Sequence, residues 1–103
     1  MNKISIIIPI LDEAESIENL LTHLLENSSK QNIAELLVVD GGSTDDSRRI
    51  VSSFFQKNNH SPLEQRYSLI ESSKGRAKQM NTGSKLATGN ILYFLHADSF
   101  PPK

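Results

Sequence analysis

Short, almost uninterrupted apolar runs recur along this chain, and helical patterns separate them. Three runs, residues 4–8, 36–39 and 91–95, are aliphatic or aromatic at nearly every position. A strand covered on both faces reads this way, whereas a strand with one wet face alternates. Residues 65–70 alternate more, with Tyr67 and Leu69 as apolar members, and suit a place nearer a sheet edge. Ile17, Leu20, Leu21, Leu24 and Leu25 fall at offsets 0, 3, 4, 7 and 8, one face of an amphipathic helix. Asp12, Glu13 and Glu15 precede or open that helix, where negative charge suits its dipole. Ser43 or Thr44 is placed to cap a second helix carrying Ile50, Val51, Phe54 and Phe55. A third helix is expected over about residues 74–86, closed by Gly89 and with Met80 turned to the core. Residues 58–62, polar and ending in a proline, read as a loop.

The order β-α-β-α-β-α-β predicts an α/β fold: a doubly wound, mostly parallel, Rossmann-like sheet with helices on both faces. No repeat or internal boundary divides the 103 residues, so residues 1–103 form a single domain. Residues 99–103 follow directly on an apolar run, where a domain normally continues with a covering element. The chain therefore reads as the N-terminal part of a longer domain, with an unpaired edge that favours self-association.

Several function classes drop out on composition. A net charge of -1, with eleven Lys and Arg scattered along the chain, leaves no basic footprint for nucleic acid. The absence of cysteine removes disulfides, thiolate metal sites and a Cys nucleophile. The apolar run over residues 4–11 is interrupted by Pro9 and falls short of the roughly 20 residues a bilayer span needs. It also lacks the flanks and cleavage site of a signal peptide. Membrane association is not indicated, and a cytoplasmic place fits, including a peripheral one at the inner membrane.

In open α/β sheets ligands bind outside the carboxyl ends of the strands. Here each of those ends carries polar groups. Pro9, Asp12 and Glu13 follow the first strand, and Asp40, Gly41, Gly42, Ser43 and Thr44 the second. Ser72, Ser73, Lys74, Gly75 and Arg76 follow the third; His96, Ala97 and Asp98 the fourth. Asp40 is expected to face the crevice and accept hydrogen bonds from a nucleobase or ribose, with ending its own strand as the plain alternative. Its glycines would allow a tight turn and close ligand approach. Asp45 and Asp46 read as charges at a helix N-terminus. Lys74 and Arg76 flank helix amides that can hold a diphosphate, although those residues by themselves read better as a solvated basic patch. Neither G-x-x-x-x-G-K-[ST] nor a first-strand G-x-G-x-x-G is present. His96 and Asp98, two apart on an extended chain, share a face and could converge on one Mg²⁺ or Mn²⁺ ion. His23 and His60 read as isolated surface residues.

With those residues in view, the chain resembles family 2 glycosyltransferases of the GT-A type. The motifs are I-S-I-I-I-P-I-L-D-E, L-L-V-V-D-G-G-S-T-D, G-R-A-K-Q-M-N-T-G and L-Y-F-L-H-A-D-S, in that order along nearly the whole chain. The second is similar to the family's V-D-D-G-S-T-D, with Gly41 in place of the second acid; the last stands where the family has an acidic D-x-D, with His96 for its first acid. The third and fourth are also similar to a bacterial subgroup associated with radical-SAM or selenium-related domains. The resemblance implies a site for a nucleoside diphosphate sugar, UDP favoured, and a divalent metal, Mn²⁺ or Mg²⁺. By the same resemblance, Pro9, Asp12, Glu13, Asp40, Gly41, Gly42, Lys74 and Arg76 line the donor site. Glu13 and Asp40 would contact base and ribose, Arg76 with Lys74 the base or diphosphate, and Asp98, with His96, the metal. The reaction implied is inverting transfer to an acceptor, with a general base beyond Lys103. Two other readings stand beside it: a nucleotide-binding module without transfer activity, and a nucleotidyltransferase.

Overall fold

The computed structural model describes residues 3–27, 33–58 and 66–96. Four strands and three helices alternate within them: β1 (Ile4–Ile10), α1 (Ile17–Asn27), β2 (Ile33–Asp40), α2 (Ser47–Asn58), β3 (Arg66–Glu71), α3 (Arg76–Leu86) and β4 (Ile91–Phe94). All pairings are parallel, in the order β3-β2-β1-β4. The expected α/β alternation is present, with β3 at an edge as its weaker run suggested.

Side-chain alternation on β1 and β2 feeds two apolar layers. On one side Ile6, Ile8 and Ile10 of β1 and Leu36 and Val38 of β2 meet Ile17, Leu20, Leu21 and Leu24 of α1 and Val51, Phe54 and Phe55 of α2. Tyr67 closes this layer, its ring stacked on Phe55 at 5.3 Å between centroids. On the other side Ile7, Leu37 and Val39 form a smaller cluster under α3. Because both faces are used, the runs read as continuous rather than alternating.

Pro9 sits inside β1, a central strand, where a missing N–H ordinarily costs a ladder bond. Leu95 N–H donates to Ile7 O at 3.0 Å, so residue 7, and residue 9 with it, turns its polar groups toward β4. The next rung of this parallel ladder would need an N–H at residue 9, which proline lacks, and the β1–β4 pairing ends at Ile7 with Phe94.

α3 lacks an apolar stripe. Its buried residues are Gln79 and Gly83, four apart on one face. A Cβ at residue 83 would stand 2.6 Å from Ile7 Cγ2 and 3.2 Å from Val39 Cγ2, so the helix backbone itself lies on the sheet.

Four expectations are corrected. The run at 91–95 is not a covered strand: Ile91, Leu92, Tyr93 and Phe94 are 39–48% exposed, and only Leu95 is buried. β4 pairs with β1 alone, and no described helix covers it. Met80 is half-buried, the inward position being taken by Gln79. α3 starts at Arg76 rather than Lys74 and ends at Leu86, with Ala87 extended and its N–H bonded to Gly83 O. Gly89 instead lies against β1, where a Cβ would meet Lys3 O at 2.6 Å. α2 is capped by neither Ser43 nor Thr44 but by Asp45, whose carboxylate accepts from Ser47 N–H at 2.8 Å. Gln65, the 58–62 loop beyond Asn58, His60 and residues 97–103, Asp98 among them, lie outside the described residues, as does the side chain of Leu25.

Candidate functional site

The carboxyl edge of the sheet is assembled from the loops after β1 and β2, the start of α3 and the end of β4. The β1–α1 and β2–α2 loops clasp each other. Asp12, at φ 54, folds back so that its Oδ1 accepts from Thr44 N–H at 2.7 Å and Asp45 N–H at 3.2 Å. In return Asp12 N–H donates to Ser43 Oγ at 2.9 Å, Glu13 N–H to Ser47 Oγ at 2.7 Å and Ala14 N–H to Asp45 Oδ2 at 3.2 Å. Both loops thus satisfy their turning amides with the other's side chains, as amides outside regular structure require. The Ser47 hydroxyl, which donates to Asp45 Oδ1 at 2.5 Å, holds the Asp45 carboxyl below its ordinary value, and the amides of Ser47 and Ala14 act in the same direction.

Asp40 ends β2 and is 1% exposed. Its carboxylate accepts from Gly42 N–H and Ser43 N–H at 3.2 Å and from the Ser43 hydroxyl, and Arg48 Nε stands 3.6 Å away. This corrects the expectation that it faces the crevice: a short acid right after a strand reaches its own loop's amides first. Arg48 also bonds Glu71 at 2.9 Å, joining the ends of β2 and β3. Gly42 takes φ 105, which gives the loop its turn. Gly41 is buried, and what lies close to it is a side chain of α3 rather than open space. A Cβ at residue 41 would be 2.7 Å from Gln79 Oε1.

Beside this clasp opens a cavity of about 290 Å³, lined by Pro9, Ile10, Leu11, Glu13, Lys74, Gly75, Arg76, Gln79 and His96. Of the expected site residues, Pro9, Glu13, Lys74, Arg76 and His96 come together on its wall. Asp12, Asp40, Gly41 and Gly42 build the neighbouring loops instead, and Asp98 lies outside the described residues. Glu13 and His96 are half-buried, whereas Lys74 and Arg76 are exposed. Gly75, the residue before α3, adopts φ 134 and contributes no side-chain cap, so the helix opens toward the cavity with its first amides available.

Sequence reasoning missed Ile10, Leu11 and Gln79. Ile10 and Leu11 carried no polar signal. Gln79 carried a faint one in its spacing: Gly75, Gln79 and Gly83 recur every four residues, a side of α3 on which two glycines allow close approach.

Among the described residues no three His, Asp or Glu side chains converge on a metal position. His96 on the cavity wall is one donor of the expected type. The wall therefore fits an ion that takes most of its ligands from phosphate and water, as Mg²⁺-like ions commonly do. It does not fit an ion caged by described side chains.

The parallel α/β sheet thus carries a polar cavity at its carboxyl edge, where open α/β sheets take their ligands. Residues 5–103 match the glycosyl transferase family 2 domain, and the chain belongs to that family. It is 33% identical over 99 residues to the glycosyltransferase AglE of Haloferax volcanii, covering 95% of this chain and 31% of that protein. It is 31% identical over 101 residues to the poly(ribitol-phosphate) β-N-acetylglucosaminyltransferase TarS of Staphylococcus aureus, covering 97% of this chain and 17% of TarS. Among solved structures, the mannosyltransferase PcManGT of Pyrobaculum calidifontis in complex with GDP-Man and Mn²⁺ superposes with a TM-score of 0.76 at 28% identity. That match covers 97% of this chain and 28% of PcManGT. The chain thus spans about a third or less of the length of these relatives. No described helix is long and apolar enough to cross a membrane.

Proposed function

We propose that the cavity holds the nucleoside diphosphate of a sugar donor and that this chain supplies the donor half of an inverting glycosyltransferase. The observation that carries the reading is the meeting of Lys74, Arg76 and the uncapped start of α3 with Glu13 and His96 around one opening. Cationic and backbone donors suit phosphates and base carbonyls, and an acid suits ribose hydroxyls. His96 directly follows β4, so the ion that accompanies the diphosphate belongs on its side of the cavity, with Lys74, Arg76 and the start of α3 turned to the same phosphates. Asp12, Asp40, Gly41 and Gly42 act by holding the loops that shape this wall.

In the transfer, an acceptor oxygen forms its bond to the anomeric carbon as the bond from that carbon to the diphosphate oxygen breaks. The acceptor's proton passes to a base beyond Lys103. Lys74, Arg76 and the α3 amides offset charge on the departing nucleoside diphosphate, which grows in the transition state. A divalent ion, Mn²⁺ or Mg²⁺, adds Lewis-acid stabilisation of the same charge when bound. Relatives solved with GDP-Man and Mn²⁺, or with UDP in the case of TarS, support a nucleotide of this class; UDP is our choice of donor nucleotide. The G-R-A-K-Q-M-N-T-G and F-L-H-A-D segments support placement in the radical-SAM or selenium-associated subgroup. The exposed apolar side chains of β4 support self-association, and the absence of a described membrane-spanning helix is compatible with a cytoplasmic place.

Calorimetric titration of UDP and GDP with Mn²⁺ tests the reading. One nucleotide should bind, and the reversed charge in Arg76→Glu should weaken it about tenfold or more. Equal affinity in Arg76→Glu would remove the cationic wall from the account.

A further inference from the structure

Gln79 is the one buried side chain on the cavity wall whose hydrogen bonding is half complete. It is 3% exposed, and its Nε2 donates to Ile10 O and Val39 O, both at 2.8 Å. Two carbonyl oxygens can be met only by the NH₂ end of the amide, so the orientation of the head group follows from its partners. The Oε1 end is left over. No described residue donates to it, yet no fully sealed side-chain nitrogen or oxygen among the described residues lacks a partner. Oε1 therefore keeps an open side, and the opening that Gln79 lines is the cavity.

The neighbour of this oxygen is Gly41. A Cβ at residue 41 would stand 2.7 Å from Oε1 and 2.8 Å from Cδ of Gln79. The head of Gln79 thus fills the volume that any side chain at residue 41 would need. The segment around it resembles a pattern with an acid at this place, so the acceptor missing from Gly41 is matched by one arriving from α3.

We propose that Gln79 Oε1 is the acceptor that reads the nucleobase, by taking a hydrogen bond from a ring imide or lactam N–H, and that Gly41 is the vacancy making room for it. This deepens the donor-site reading and rests on it. With Nε2 held by two carbonyls, Gln79 offers one neutral acceptor and no donor. A ring N–H at the Watson–Crick edge answers that. Uracil carries it at N3 and guanine at N1. Cytosine N3 and adenine N1 present a lone pair there instead, and acceptor would face acceptor. Selection for UDP or GDP over CDP and ADP follows, because a buried polar atom left unpaired penalises the wrong ligand.

The test uses the full chain with Mn²⁺, calorimetry for affinity and thermal unfolding for stability. Separate UDP and GDP titrations show which base is taken. The wild type should bind the chosen nucleotide at least about tenfold more tightly than its ring-N-methyl analogue, a comparison needing no variant. Gln79→Ala should lose about tenfold in affinity and become insensitive to that methylation. Adding Gly41→Asp to Gln79→Ala should restore affinity while the melting temperature stays low, since an Asp at residue 41 accepts but cannot donate to Ile10 and Val39. Gly41→Asp alone should be worse than either, because both side chains then compete for one space. A purely structural Gln79 would have affinity and melting temperature move together. That outcome, or methylated base bound as tightly as the parent, overturns the inference. A wild type that binds neither UDP nor GDP instead refutes the donor site, and the inference falls with it.

Discussion

Replacing Gly83 with alanine should destabilise this protein although it improves the helix. In an exposed helix interior, Gly to Ala gains about 1 kcal/mol. At residue 83 the added methyl would lie 2.6 Å from Ile7 Cγ2, 3.2 Å from Val39 Cγ2 and 3.4 Å from Ile7 Cγ1. Apolar carbons rest at about 3.5–4.0 Å, so the first contact is short by about 1 Å. Ile7 is fully buried and β-branched, with Cγ2 one bond from Cβ, so no flexible end can swing away. The strain falls on α3, which must lift from the sheet. Overpacking of this kind costs about 1–3 kcal/mol, and the rigid neighbours place it near the top of that range. Net destabilisation of about 2 kcal/mol should remain, read as a lower midpoint in urea unfolding. Ile7→Ala removes Cγ2, so the double variant should be less destabilised than the sum of the two singles. A midpoint unchanged or raised in Gly83→Ala would refute the claim that α3 rests on the sheet by its backbone.

Other predictions follow from the loops and the core. Asp40→Asn should cost about 2–3 kcal/mol in chemical unfolding, because it disrupts a buried carboxylate bonded to two amides, a hydroxyl and Arg48. Asp12→Ala should cost about 1–2 kcal/mol and more than Asp12→Asn, which keeps one acceptor and tolerates positive φ; equal losses would contradict the clasp. Ser47→Ala should raise the Asp45 pKa toward 3.8 in a carboxyl NMR titration. The stabilisation Asp45 contributes is present above its unfolded value and lost as pH falls through the lower folded value. Burial raises the Tyr67 phenol above 10.0, so stability should decline as pH rises past that value toward the folded one, and Tyr67→Phe should flatten the decline.

Much of this architecture is legible in the residue order. The continuous runs of β1 and β2 reflect two covered faces, and both layers are present. β4 has the same composition and no such cover, because composition records what a strand is able to bury and not what lies over it. α3 is misread for a related reason. Its contact is made by a glycine and a glutamine, so no apolar periodicity marks which side faces inward. At the rim, polar residues at strand ends locate the crevice, but they do not tell which acids face it. That depends on backbone turns at Asp12 and Gly42, which fold the carboxylates of Asp12 and Asp40 onto loop amides and leave Glu13 on the cavity wall.

We place the nucleotide at this carboxyl edge, between the end of β1 and the start of α3. Amide NMR of the ¹⁵N-labelled chain during titration with UDP and Mn²⁺, repeated with GDP, tests it most directly. Saturable shifts are expected to concentrate on residues 10–13, 74–79 and 95–96, with small changes along α1 and the outer turns of α2. Shifts that never saturate, or that cluster away from those three segments, would contradict it.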